Sequence, residues 1–150
     1  MAGPSGVPVF ERFFRSVAQL KVDKSDVKRF REFVDEMVDG IAVAGRNSAR
    51  ANGRDVVAPM DLPITKGLQE RMREFDKLDE AADIRAVLAT AVRLPPADVT
   101  FSEETEALLP ELFGGLGIAM ARAFRTVDPD VVNPGTGQWD RVTDLFRQLY

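Results

Sequence analysis

The chain has 150 residues, of which 45% are hydrophobic and 29% charged, and its net charge is −4. This composition is typical of a folded globular protein and argues against general disorder. Cysteine and histidine are absent, which excludes disulfides, thiolate chemistry and zinc fingers and removes the commonest general base. Residues 1–76 hold 13 Lys and Arg against 12 Asp and Glu, whereas residues 77–150 hold 7 against 12. We therefore expect an anionic partner to bind the first half.

Nothing in the sequence indicates membrane insertion or export. No apolar run approaches the roughly 20 residues that a membrane-spanning helix needs. Residues 1–6 lack the basic and apolar blocks of a signal peptide and are predicted to form a short flexible tail. The lack of cysteine fits a reducing compartment, so we expect a cytoplasmic protein without membrane contact.

The first half, residues 1–76, is predicted to contain three helices. Apolar residues spaced three and four apart predict a short helix over 9–20 and a long one that ends near Ala51. β-branched residues and Pro59 predict an extended piece before a third helix, which Asp61 is expected to cap. The three apolar faces are Phe10, Phe13, Phe14 and Val17; Val27, Phe30, Val34, Met37 and Ile41; and Ile64, Leu68, Met72 and Phe75.

The second half, residues 77–150, repeats this order. A short helix ends at 94–96, and a capping-box pattern of Thr100 with Glu103 is predicted to begin the second long helix. Pro110 lies inside that helix, where we expect either a bend or a late helix start. The three apolar faces are Ile84, Val87, Leu88 and Ala91; Leu108, Leu112, Leu116, Ala119, Met120 and Ala123; and Trp139, Val142, Leu145, Phe146 and Leu149.

Two local matches indicate that the halves arose by duplication. Residues 55–59 (DVVAP) match 130–134 (DVVNP), and residues 41–42 match 118–119, both as Ile-Ala. One such unit cannot cover both sides of its long helix, whereas two units crossed through their long helices bury both. Close crossing needs small residues, and the candidates are Gly40, Ala42, Ala44 and Gly45 in the first half and Gly114, Gly115, Gly117 and Ala119 in the second.

This pattern resembles the histone fold, a short–long–short helix unit that pairs head to tail. Histone folds place an arginine after the long helix and an aspartate seven residues later, which together form a clamp. Arg54 and Asp61 have that spacing, although Val56 replaces the threonine common near the arginine and Pro129 stands at the second-half position equivalent to Arg54. The whole chain is similar to a small family of bacterial proteins with two histone folds in one polypeptide, which are mostly uncharacterised.

The resemblance implies an all-α fold in which two tandem histone folds, residues 1–76 and 77–150, pack as an intramolecular pseudo-dimer. Together they are expected to form one compact unit. It also implies that the links between helices pair as short parallel bridges. We expect residues 21–23 beside 131–132, and residues 98–100 beside 56–57.

Two functional hypotheses remain open. In the first, the protein is histone-like and nucleoid-associated, and it binds double-stranded DNA without sequence preference through a basic surface of its first half. The expected contacts with phosphates are Arg12, Arg15, Lys21, Lys24, Arg50 and Arg54. In the second, the histone fold is a scaffold for protein partners or self-association, with no role on DNA. The acidic pI of about 4.9 favours the second hypothesis.

The remaining motifs favour structural roles. The acidic residues Glu103, Glu104 and Glu106 suit the first turn of a helix, and no calcium-loop spacing is present. Residues 114–117 lack the preceding strand and the Gly-Lys-Ser/Thr ending of a phosphate-binding loop. Trp139 and Phe146 fit an apolar helix face. No nucleophile stands at a suggestive spacing from a base, so we expect no enzymatic activity, cofactor or metal.

Overall fold

The computed structural model describes residues 6–91 and 95–150. Its helices follow the order short, long, short twice, and a two-stranded parallel sheet joins two of the links. The first three helices are α1 (Val7–Ala18), α2 (Lys24–Ala51) and α3 (Lys66–Asp76), and the last three are α4 (Ala81–Thr90), α5 (Glu103–Val127) and α6 (Thr136–Arg147). The strands are β1 (Val56–Val57) and β2 (Thr100–Phe101), and a 3-10 turn, Pro59–Asp61, follows β1.

The fold is therefore mainly helical, as predicted, and the predicted boundary at 76/77 falls between α3 and α4. Residues 1–5 of the predicted tail and Leu94 at the end of the fourth helix lie outside the described residues. Gly6, the last residue of the predicted tail, is instead buried at the start of α1.

Links from the two halves pair at both ends of the long helices. In the sheet, Val56 lies opposite Thr100 and Val57 opposite Phe101. At the other end, the N–H of Lys21 donates to the carbonyl of Val132 at 2.8 Å. The parallel pairing of β1 and β2 is the one expected there, whereas at the other end a single hydrogen bond places Lys21 beside Val132. Each half thus supplies backbone partners to the other half's links.

The start of α3 differs from the prediction. Asp61 closes the 3-10 turn after β1 and does not cap α3. The cap is Thr65, whose hydroxyl accepts the N–H of Leu68 at 3.1 Å. The carboxylate of Asp61 is already occupied by the N–H of Ala58, at 2.8 Å, and by an arginine described below.

The start of α5 differs as well. Thr100 pairs in β2, so the cap is Ser102, whose hydroxyl accepts the N–H of Thr105 at 3.2 Å. Of the two alternatives for Pro110, a late start is wrong, because α5 begins at Glu103 and Pro110 stands within it.

A cluster of five phenylalanine rings joins the two halves. The rings come from α1, α2 and α5, and none of these residues is more than 2% exposed. Phe30 is at the centre, since its ring centroid lies 4.8–5.9 Å from those of the other four. The members are Phe10, Phe13, Phe14, Phe30 and Phe113. Burial of these rings against one another makes the halves parts of one core.

The glycines of α5 permit close packing, although mainly against α3 rather than against the other long helix. A Cβ on Gly114 would lie 2.2 Å from the ring of Phe75, and one on Gly117 would lie 2.9 Å from the ring of Phe30. In α2, by contrast, a Cβ on Gly40 would have no neighbour within 4 Å. The expected role of Gly40 in close crossing is therefore wrong.

Three residues assigned to buried faces are exposed. Ala91 follows the end of α4, and Leu149 follows the end of α6. Leu145 lies on the flank of α6 and is 44% exposed. For Ala91 and Leu149, the apolar spacing continues beyond the residue at which the helix ends.

Helix α5 is long and apolar enough, by length and composition, to cross a membrane. However, 56% of the residues in its most apolar window are buried inside the protein. A central helix of a folded core has the same composition because other helices cover it.

Candidate nucleic-acid interface

Arg54 and Asp61 form a bidentate ion pair that closes the loop after α2. Gly53 adopts a left-handed conformation (φ 73°) and turns the chain away from the helix end. The Nη1 and Nη2 atoms of Arg54 then donate to the two carboxylate oxygens of Asp61, each at 2.6 Å. Only 2% of the Asp61 side chain is exposed. The pair therefore fixes the loop that carries β1.

The hydrogen bond from Arg54 lowers the pKa of Asp61 from 3.8 to about 2, and the N–H of Ala58 adds to this effect while burial opposes it. Because the pKa is lowered in the folded state, ionised Asp61 stabilises the protein above pH 3.8, and this stabilisation is lost as the pH falls towards about 2. We therefore expect Asp61→Asn to destabilise the protein at neutral pH, and the deficit to shrink across that window.

Urea unfolding of both proteins at a series of pH values measures the deficit, and the comparison cancels the titration of the other carboxylates. Asp55→Asn, at an exposed position of the same loop, is the matched control and should show a small deficit. A deficit for Asp61→Asn that does not change between pH 5 and pH 2 would contradict the role of Arg54, given an ordinary aspartate pKa of about 3.9.

The six predicted phosphate contacts do not form one group. Lys21 precedes α2 and Lys24 begins it, whereas Arg50 lies in its last turn and Arg54 in the loop that follows. The rise of about 1.5 Å per residue places Lys24 and Arg50 about 40 Å apart. Arg12 and Arg15 lie on α1.

Three of the six cations bind groups of the protein itself. Arg54 holds Asp61, as described above. Arg12 Nη2 lies 3.4 Å from the carboxylate of Asp83 on α4, and Arg50 Nη2 donates to the carbonyl of Asp98 at 3.4 Å. These contacts reduce what the three arginines can offer to a phosphate.

The other three are exposed and make no ion pair within residues 6–91 and 95–150: Arg15 in the last turn of α1, Lys21 in the link, and Lys24 in the first turn of α2. Lys28, which was not predicted, is also exposed and makes no ion pair in the described part of the chain, and its spacing of four from Lys24 places both on one helix face. We call these four residues, Arg15, Lys21, Lys24 and Lys28, the α1–α2 corner.

Two carboxylates lie within this corner and are held by N–H donors. Asp23 Oδ1 accepts the N–H of Asp26 at 2.8 Å, and Asp26 Oδ2 accepts the N–H of Asp23 at 2.9 Å. The backbone N–H of Asp26 lowers the pKa of Asp23. The indole N–H of Trp139 donates to Asp26 at 2.8 Å. The four cations of the corner outnumber these two carboxylates, in a chain whose net charge is −4.

The remaining candidate motifs occupy structural positions. Glu103, Glu104 and Glu106 lie in the first turn of α5, where carboxylates favour the helix dipole. Trp139 and Phe146 are buried, as predicted, at 2% and 7% exposure.

Residues 10–147 match a family described as a domain of unknown function, DUF1931. An uncharacterised protein of Aquifex aeolicus (strain VF5) is 25% identical over 138 residues, which are 92% of this chain and 76% of the relative. A second uncharacterised protein of that strain is 28% identical over 140 residues, covering 85% and 81%.

Two crystal structures have the same fold. One, of a protein from Thermus thermophilus, is 39% identical with a TM-score of 0.82 and covers 96% of this chain and 97% of that one. The other, of protein AQ328 from Aquifex aeolicus, is 21% identical with a TM-score of 0.86, over 100% and 99% of the two chains, and shows likeness of fold alone. From the match over residues 10–147, the chain belongs to the DUF1931 family.

Proposed function

We propose that this chain consists of two histone folds in one polypeptide and binds duplex DNA without sequence preference through the α1–α2 corner. The observation that carries the proposal is that the four exposed cations of this corner have no ion-pair partner among the described residues and lie close in the chain to the start of α2. The protein would then act in the cytoplasm, on the nucleoid.

Three features of the structure support the histone-fold part of the proposal. Each half has one long helix between two short ones. Links of the two halves pair in parallel at β1 and β2, and one backbone hydrogen bond joins Lys21 to Val132 at the other end. Arg54 binds Asp61 seven residues later, which is the contact that the resemblance implies.

The corner suits a phosphate backbone better than it suits base edges. Its side chains are long and exposed, and they stand near the N-terminus of a 28-residue helix, whose dipole favours anions although Asp23 already caps it. Such contacts release counterions and give affinity without sequence information. Four phosphate contacts predict a slope of about −3.6 in log K against log salt.

We expect the combined change Lys21→Glu, Lys24→Glu and Lys28→Glu to abolish binding, because it inverts the charge of the corner. Fluorescence anisotropy with a labelled duplex, across a series of salt concentrations, measures the affinity and the slope. The matched control inverts three exposed cations on and after α3, Lys66, Arg73 and Lys77, and should retain most of the affinity. Equal losses in the two triple variants, or no binding by the unchanged protein at low salt, would refute the proposal.

A scaffold for protein partners is the second candidate, and one observation favours it. Leu145, Leu149 and Tyr150 are 44%, 73% and 41% exposed and line a groove with residues of α3 and α5. Apolar side chains grouped in this way mark binding surfaces. Capture of a partner that survives nuclease treatment, and that is lost in Leu145→Glu with Leu149→Glu, would support this candidate over DNA binding.

A further inference from the structure

One arginine of the second half holds the α1–α2 corner in place. Arg125 lies in the last turn of α5, and each of its three side-chain nitrogens donates to a backbone carbonyl. Nε donates to Ala18 at 2.7 Å, Nη2 to Gln19 at 2.9 Å and Nη1 to Pro129 at 3.0 Å. Arg125 thus joins the link that carries Lys21 to the loop between α5 and α6.

The link needs such a partner because of how α1 ends. Gln19 adopts a left-handed conformation (φ 55°), which is uncommon for a residue other than glycine. The carbonyls of Ala18 and Gln19 lie at the C-terminus of the helix, where the last carbonyls lack intrahelical donors. A guanidinium satisfies them with charge-assisted hydrogen bonds, so Arg125 adds to the backbone bonds by which Gln19 and Leu20 end α1.

The opposite end of the molecule has a similar arrangement. Near the end of α2, Arg46 Nη1 donates to the carbonyl of Ala97 at 3.3 Å, and Arg50 donates to that of Asp98. In both halves, therefore, arginines near the end of the long helix hold the link that precedes the other long helix. At the α1–α2 corner this link also carries cations without ion-pair partners in the described part of the chain, which gives the contact a consequence for binding.

We propose that Arg125 is a positioning residue for phosphate binding: it fixes the α1–α2 corner and makes no contact with DNA itself. This inference rests on the proposed function. The three nitrogens of Arg125 are engaged by protein carbonyls, whereas the side chains of Lys21 and Lys24 point to solvent as exposed residues. Fixing the link in advance removes the entropic penalty of ordering it when DNA binds.

The decisive variant is Arg125→Lys, which retains the positive charge but has a single nitrogen in place of the three that reach the carbonyls on both sides. We expect it to weaken duplex binding about three- to tenfold at every salt concentration, with the salt slope of the unchanged protein. Lys24→Gln removes a direct contact and should instead reduce the slope by about 0.9. Arg141→Lys, at an exposed arginine on α6, is the matched control and should leave both quantities unchanged.

A second measurement reports on the link without DNA. Trypsin should cleave after Lys21 faster in Arg125→Lys than in the unchanged protein, and circular dichroism verifies that the variant is folded. Arg125→Gln serves as a second variant and should also cleave faster. Binding of Arg125→Lys equal to that of the unchanged protein, or a lower slope for it, would overturn the positioning role alone. Absence of binding by the unchanged protein would overturn the proposed function and this inference together.

Discussion

Changing Phe30 to alanine should lower the free energy of unfolding by about 3–5 kcal/mol, the largest effect that we expect of any single substitution in this chain. Phe30 is fully buried and its ring contacts four other rings, from α1 and α5. Removing it loses the burial of the ring, leaves a cavity among rigid neighbours and deletes aromatic pairs worth about 0.5–1.5 kcal/mol each beyond burial. Urea unfolding followed by circular dichroism measures the change.

Met60→Ala is the matched control for the loss of a large apolar side chain. Met60 is 77% exposed, so we expect a change within about 0.5 kcal/mol. Because the ring cluster contains residues of both halves, Phe30→Ala should shift one cooperative transition and should not split it in two. A loss no greater than that of Met60→Ala, or the appearance of a second transition, would show that the cluster does not unite the halves.

The same substitution, glycine to alanine, should have opposite effects in the two long helices. In α5, a Cβ on Gly114 would lie 2.2–2.3 Å from ring atoms of Phe75, which is fully buried and cannot move aside without shifting α3. Overpacking of this kind lowers stability by about 1–3 kcal/mol, and sometimes by more, which exceeds the gain in helix propensity of about 1 kcal/mol. We expect Gly114→Ala to destabilise the protein.

In α2, Gly40 is exposed and a Cβ there would meet nothing within 4 Å. Gly40→Ala should therefore raise the free energy of unfolding by about 0.5–1 kcal/mol through helix propensity alone. Thermal unfolding of the two variants and the unchanged protein in one experiment shows whether each substitution raises or lowers the stability. A stabilised Gly114→Ala would mean that α3 does not pack as closely against α5 as the structure shows.

Apolar spacing was sufficient to predict the helices, because a long amphipathic helix repeats its pattern over many turns. The central stripe of α2, from Val27 to Ile41, is buried throughout. The ends of the helices were harder to predict, since the pattern continues for a residue or two after the backbone has turned. Leu149 continues the apolar spacing of α6 but lies beyond its end.

The caps of α3 and α5 were mispredicted for a different reason. Asp61 and Thr100 are good capping residues, and each stands near the start of a helix. Each instead binds a residue outside the helix that it was expected to cap. Asp61 binds Arg54 of the same loop, and Thr100 pairs with β1 of the other half. The residues that do cap, Thr65 and Ser102, had no feature that ranked them above those competitors.

For the candidate site, the sequence shows which side chains are positively charged, but it does not show which of them form ion pairs in the fold. Arg12 and Arg15 look equivalent on one helix, yet Arg12 lies beside Asp83, which is 71 positions away in the chain. The spacing of four residues between Lys24 and Lys28 was sufficient to predict that Lys28 lies on the same helix face. No sequence pattern indicated the contacts of Arg125, because its partners are backbone carbonyls, which every residue type supplies.

The contact between the ring of Phe75 and the bare backbone at Gly114 has a consequence for what the first half can pair with. The ring of Phe75 belongs to the first half, and the glycine that makes room for it belongs to the second, so the contact needs two different surfaces. Two copies of the first half could not reproduce it, since neither would supply the glycine. Because the halves are joined in one chain, each is always present at a high effective concentration near its matching partner. Two molecules that exchanged halves would therefore still have to match a first half with a second.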